Sequence, residues 1–200
     1  MTNVAIGGDI PVQMQLHEPR RICVLDRSGS MSTVLDDTIG GYNSFVETQH
    51  GGTMSLYVFD HELSNVYDEV PISNVIPLNK TSYVPRGSTA LLDALGHILK
   101  KDYDGDKVIM IILTDGEENA STKYTHEHIK DLIEMRTKEG WDFVYIGANH
   151  DTFAVGQRLG IRTTCNFSPH KSHQLFRELS SAVTQASQSG ECVVMAEKLD

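Results

Sequence analysis

Three short runs in this chain place oxygen-bearing side chains where chemistry could happen. The first is Asp26-Arg27-Ser28-Gly29-Ser30-Met31, in which Asp26, Ser28 and Ser30 alternate with single residues on one tight loop. Gly29 allows that loop to fold closely. The second is Leu113-Thr114-Asp115-Gly116, a carboxylate immediately after a very apolar run. Between them lies Arg86-Gly87-Ser88-Thr89, just ahead of a helical pattern, which offers a further hydroxyl from Ser88 or Thr89. Two carboxylates and three hydroxyls form an oxygen-only donor set. Such a set suits Mg2+, which takes about six oxygen ligands and readily keeps waters. No His/Cys cluster accompanies it, as zinc or copper would require. Taken singly, each run has a plainer reading as a helix cap or a turn. Their order along the chain, each after a strand or before a helix, is what makes the set specific.

The elements that must position these residues can be read from periodicity. Arg21–Asp26 is apolar at consecutive positions, as expected of a central strand covered on both faces. A helix is expected over about 33–50, with Leu35, Ile39, Tyr42, Phe45 and Val46 on one face and Gly51-Gly52 as its stop. Thr53–Phe59 and Leu63–Val70 read as strands joined by a brief turn, hence an antiparallel hairpin at a sheet edge. The segment from Pro71 to Pro85 reads as irregular. A helix follows over about 89–101, then the strand Lys107–Leu113. Thr125 can cap a helix carrying Ile129, Leu132 and Ile133 inward and ending near Gly140. Beyond it come a strand at 142–146, a short helix at 152–159 and a strand at 162–167. A final helix is expected after Ser172, with a stripe of Leu175, Phe176, Leu179, Ala182, Val183 and Ala186. The pattern is α/β: a doubly wound, mostly parallel six-stranded sheet with one antiparallel edge strand and helices on both faces. Ligands in such sheets bind outside the carboxyl ends of the strands. All three runs fall there, so Asp26 is expected on an exposed loop at a strand end.

DRSGSM, followed by GST-ALLDAL and an apolar strand ending in LTDG, resembles the metal-ion-dependent adhesion site of von Willebrand factor A domains. The resemblance covers roughly 20–167 and extends to the last helix. It implies the family's mostly parallel sheet with one antiparallel edge strand. By this likeness Ser28, Ser30 and Thr89 contact the metal through hydroxyls, and Asp26 and Asp115 act directly or through waters. Thr89, rather than Ser88, occupies the family's threonine position. The family often has two glycines where this chain has Gly87-Ser88. The short loops are similar to those of compact intracellular prokaryotic or phage members. The division expected is an N-terminal extension over 1–19, the domain over 20–190 and a tail over 191–200.

The function expected is therefore a metal-dependent protein-binding module. A divalent cation (Mg2+, or Mn2+ or Ca2+) would coordinate a Glu or Asp carboxylate of a protein partner. A phosphatase-like enzyme is the alternative, but a D-x-D phosphatase loop would need a second Asp where Ser28 stands. A structural subunit that keeps the fold is a third reading. No Ser-His-Asp arrangement, phosphate-cradling loop or dinucleotide fingerprint is present. The net charge of −10 argues against nucleic-acid partners. No run approaches the roughly 18–20 apolar residues of a membrane span. The opening MTNVAIGGDIPVQ lacks the features of a signal peptide, so a cytoplasmic setting is expected. Cys23, Cys165 and Cys192 form neither a disulfide framework nor a zinc pattern; Cys23 reads as core. Glu117, Glu118 and Asn119 could rim the metal or hold a second cation, but read more simply as solvated loop. Asn149, His150 and Asp151 are candidate partner contacts or a capping loop. His126, His128, His170 and His173 read as surface histidines. Arg27 and Arg86 flank the motif as loop arginines that could steer an anion.

Overall fold

The structure, a computed structural model, describes residues 19–103, 107–115, 117–147, 152–166 and 180–181. The extension before residue 19, Gly116, Asn149, His150, Asp151, His170, His173, the tail and nearly all of the expected last helix lie outside the described residues. Of that helix, Ser180 and Ser181 are described and helical.

Among the described residues, the strands β1 (Arg20–Asp26), β2 (Thr53–Phe59), β3 (Leu63–Pro71), β4 (Val108–Thr114), β5 (Asp142–Gly147) and β6 (Thr163–Asn166) form one sheet in the order β3-β2-β1-β4-β5-β6. Every pairing is parallel except β2 with the edge strand β3. β1 and β4 are buried along their whole length because helices cover both faces. On one face α1 (Leu35–Glu47) lays Tyr42 and Phe45 over Cys23, Leu25, Ile111 and Leu113. On the other, α2 (Leu91–Leu99) and α3 (His126–Lys138) cover Ile22, Val24, Met110 and Ile112. The alternation of side chains along each strand divides the core in this way. The short α4 (Thr152–Arg158) leads to Leu159 and Ile161, which pack on the same face as α2.

Apart from the last helix, which lies almost wholly outside the described residues, the expected elements are present, with local differences. The first helix opens as a 3-10 turn over Gly29–Val34 and becomes α-helical only at Leu35. The serines at its start are engaged in the strand-end cluster described below, so the chain enters the helix through a tighter turn. Gly51 and Gly52 end the segment with φ of 62° and 72°. Thr125 caps α3 by accepting the His128 amide. Cys23 is buried, and loss of solvation pushes its thiol up to about 12, which makes it an inert core residue. No described helix is long and apolar enough to cross a membrane.

The strand order reverses direction between β1 and β4, whose neighbouring connections run to opposite sides. This is where doubly wound sheets open a crevice at the carboxyl ends of the strands. Asp26 ends β1, and Asp115 directly follows β4.

Candidate metal centre

The loop after β1 is held by its own first carboxylate. The Ser28 amide donates to Asp26 Oδ1 at 2.6 Å, turning the chain tightly after the strand. Thr114, the last residue of β4, donates its hydroxyl to Asp26 Oδ2 at 2.6 Å. Asp26 thus ties the two central strands together. It has no exposed surface, so the expectation of an exposed loop position is corrected: it is the buried final residue of the strand. The Tyr83 hydroxyl closes it from below by donating to its backbone carbonyl.

Four of the five sequence-derived residues are linked by successive hydrogen bonds, the first from the Ser28 amide to Asp26 and the rest between side-chain oxygens. Ser28 Oγ and Ser30 Oγ lie 3.1 Å apart, and Ser30 Oγ donates to Asp115 Oδ1 at 2.8 Å. Asp26, Ser28, Ser30 and Asp115 therefore bridge the ends of β1 and β4. Ser28 is buried beside Asp26, while Ser30 faces solvent and Asp115 is half-buried. Desolvation raises the Asp26 carboxyl above its ordinary 3.8; hydrogen bonds from Thr114 and Ser28 offset part of this, and the nearby Asp115 charge adds to it. Asp115 is also raised, again chiefly by desolvation, with the Ser30 hydroxyl acting against it.

Thr89 arrives on a separate loop. It is buried at 2% exposure, whereas Ser88 is exposed. That loop is stitched to the β1 loop by Arg86 N→Arg27 O at 2.7 Å and Gly29 N→Gly87 O at 3.1 Å. The glycine the turn needs most is Gly87. It has φ of 67°, and a Cβ there would come within 2.4 Å of His61 Nδ1. On the other side, Thr89 donates its amide to Asn119 Oδ1 at 2.9 Å, and its carbonyl accepts the Asn119 and Ala120 amides.

These bonds give roles to residues that the sequence left as solvated loop. The Glu118 carboxylate accepts the Leu92, Ala120 and Ser121 amides and the Ser121 hydroxyl. It fastens the loop after β4 to the start of α2. Glu117 is exposed. Neither arginine beside the motif is a free loop cation: Arg27 and Arg86 both place Nε against Asp60 Oδ2, at 2.9 and 2.8 Å. Sequence reasoning missed Asp60 altogether. Its only signal was a carboxylate directly after a buried strand, in FDHE.

The arrangement suits a hard divalent cation. All the converging side-chain atoms are carboxylate or hydroxyl oxygens, and two carboxylates with raised proton affinity sit at the carboxyl ends of β1 and β4. His126 and His128 lie on α3, away from this cluster in the chain's layout.

No protein-family model matches the sequence. A search of curated proteins likewise finds no match. Solved structures do share the fold. A von Willebrand factor type A protein from Catenulispora acidiphila superposes with a TM-score of 0.64 at 16% identity, over 83% of this chain and 42% of that one. The vWF domain of the type V pili tip protein Mfa5 from Porphyromonas gingivalis gives 0.63 at 12% identity, over 88% of this chain and 98% of that one. Manganese-loaded TRAP protein from Plasmodium vivax gives 0.60 at 13% identity, over 80% and 72%. This chain thus spans less than half of the Catenulispora protein and nearly all of the Mfa5 domain.

Proposed function

We propose that this chain, which has the von Willebrand factor A fold, is a metal-dependent protein-binding module. Asp26, Ser28, Ser30, Thr89 and Asp115 hold one divalent cation, Mg2+ or in its place Mn2+ or Ca2+. The bound cation supplies an electrophilic position for a Glu or Asp carboxylate of a protein partner.

The observation that carries this reading is the hydrogen-bonded run from Asp26 through the Ser28 amide and the Ser28 and Ser30 hydroxyls to Asp115. Folding brings two carboxylates together at the switch point and makes both harder to ionise, a cost that a cation between them would offset. The manganese-loaded TRAP protein, of the same fold, adds support for a divalent cation.

The chain's own residues do the remaining work. Asp26 is fixed by Ser28 and Thr114, so it presents its carboxylate without rearrangement. Ser30 is exposed and stands at the entrance. Thr89 is held by its backbone to Asn119 and Ala120, which leaves its hydroxyl to serve the cation. A phosphatase reading fares worse, because the position two after Asp26 is a serine whose hydroxyl pairs with Ser30. The net charge of −10 favours a partner with one carboxylate in a neutral or basic surface, and disfavours nucleic acid.

The test is capture of partners from native lysate on immobilised protein. Partners retained with Mg2+ should be lost with EDTA and with Thr89→Ala, and raised salt should weaken them less than chelation does. A complex that persists through both EDTA and Thr89→Ala contradicts the mechanism and favours a structural subunit.

A further inference from the structure

Beneath the candidate centre lies a second buried acid. Asp60 directly follows β2 and has no exposed surface. Its Oδ2 accepts a hydrogen bond from Arg86 Nε at 2.8 Å and forms an ion pair with Arg27, whose Nε lies 2.9 Å away. Its Oδ1 accepts the Glu62 amide at 2.7 Å and lies 3.2 Å from His61 Nδ1. Its backbone carbonyl accepts the Ala90 amide at 2.9 Å.

Asp60, His61 and Glu62 bring ligand atoms within 4.8 Å of one another, a spacing a metal could use. Their partners point elsewhere. Two guanidiniums already fill the Oδ2 side of Asp60, and Arg86 Nη2 also reaches Glu62 at 2.7 Å. A divalent ion would have to displace these cations against their repulsion.

The residues that Asp60 grips are informative by position. Arg27 lies between Asp26 and Ser28. Arg86 opens the loop that ends in Thr89, and Ala90 follows Thr89 directly. One carboxylate therefore binds both loops whose separation sets the distance between Thr89 and the Asp26–Ser30 cluster.

We infer that Asp60 is a positioning residue for the cation site: through Arg27, Arg86 and the Ala90 amide it fixes the Thr89 loop against the Asp26 loop. The inference rests on the metal reading above and adds a residue that does not touch the metal. Outer partners of this kind set affinity by holding ligands in place.

The experiment titrates Mn2+ into chelator-stripped protein and reads affinity and stoichiometry by calorimetry. Four forms are compared: wild type, Asp60→Asn, Arg86→Ala and Asp68→Asn. Asp68, on β3, carries its own ion pair with Lys101 at 2.7 Å, and its partners among the described residues, Ser55, Tyr57 and Lys101, lie outside both loops. Wild type should bind one Mn2+. Asp60→Asn and Arg86→Ala should weaken it about tenfold, while Asp68→Asn should bind as wild type does. Arg86 is half exposed, so its variant keeps the test readable if Asp60→Asn folds poorly. Mn2+ affinities within about twofold of wild type in both loop-clamp variants would overturn the inference while leaving the metal reading intact. A second Mn2+ equivalent that Asp60→Asn removes would also overturn it, by making Asp60 a ligand. Absence of Mn2+ binding to wild type would overturn the metal reading itself, and this inference with it.

Discussion

Asp26 and Asp60 end or directly follow adjacent parallel strands, and neither has exposed surface, yet their surroundings drive them in opposite directions. Asp26 is bonded by an amide and a threonine hydroxyl, and feels the charge of Asp115; burial dominates and its carboxyl is raised from 3.8. Burial would raise Asp60 as well. There the Glu62 amide and the Arg86 and Arg27 guanidiniums outweigh it, and the carboxyl is lowered from 3.8. One acid has its cations built into the chain and serves to brace loops. The other sits in an oxygen-rich cluster with a second acid, which suits a cation from outside. In this molecule the nature of the counter-charge, rather than burial, separates a scaffold carboxylate from a candidate ligand.

The two acids should differ most when each is removed in the absence of metal. Asp60→Ala strands Arg27, which is 15% exposed, and the half-exposed Arg86, so it should cost about 2–3 kcal/mol of stability in urea unfolding. Asp26→Asn should cost less than Asp60→Ala under the same conditions, because the loss of one hydrogen-bond acceptor is offset by removal of a charge that folding penalises. Equal losses at both positions would erase the distinction.

Adding metal should then set Asp26→Asn apart from wild type. Saturating Mg2+ or Mn2+, at about a hundredfold excess over Kd, should stabilise wild type by about 2.7 kcal/mol, and should stabilise Asp26→Asn by about half of that or less. The secondary structure should persist in EDTA, because the two core layers are built without the site. Circular dichroism and thermal melts check both statements.

The pH dependences should also have opposite signs. A lowered acid contributes stability that is present above its unfolded value, near 3.8, and is lost as pH falls through the folded value. The advantage of wild type over Asp60→Asn should therefore hold at neutral pH and fade below about pH 4. A raised acid penalises folding at neutral pH, and the penalty fades as pH falls toward 3.8. Any gain in Asp26→Asn without metal should accordingly shrink on acidification. Denaturant midpoints measured across pH 3 to 7 would show parallel trends if this account were wrong.

The smallest effect concerns Glu62, whose side chain is 62% exposed while pairing with Arg86. Glu62→Gln should cost less than about 1 kcal/mol, as exposed pairs do. A larger loss in urea unfolding would mean that the clamp extends past Asp60 to the surface.

Much of this was legible in the chain. Consecutive apolar positions in β1 and β4 marked buried central strands, and the brief turn before β3 marked the antiparallel edge. Asp26, Ser28, Ser30 and Asp115 could be grouped because each lies beside a strand end, and strand ends converge in such sheets. Asp60 could not be grouped. Its partners Arg27 and Arg86 lie 33 and 26 residues away by sequence number and meet it only through the fold. Glu118 and Asn119 looked like solvent-facing loop because their bonds go to backbone amides, which carry no sequence signature. The burial of Asp26 was also hidden: it depends on Thr114 and Tyr83, one from β4 and one from the irregular stretch before Thr89.

The central claim is that the Asp26–Asp115 cluster is a divalent-cation site, and calorimetric titration of Mn2+ into chelator-stripped wild type, Asp26→Asn and Asp115→Asn tests it most directly. The account predicts one saturable site in wild type and at least a roughly tenfold loss of affinity in each variant, with folded protein throughout. No saturable heat in wild type, or undiminished binding in both variants, would contradict it.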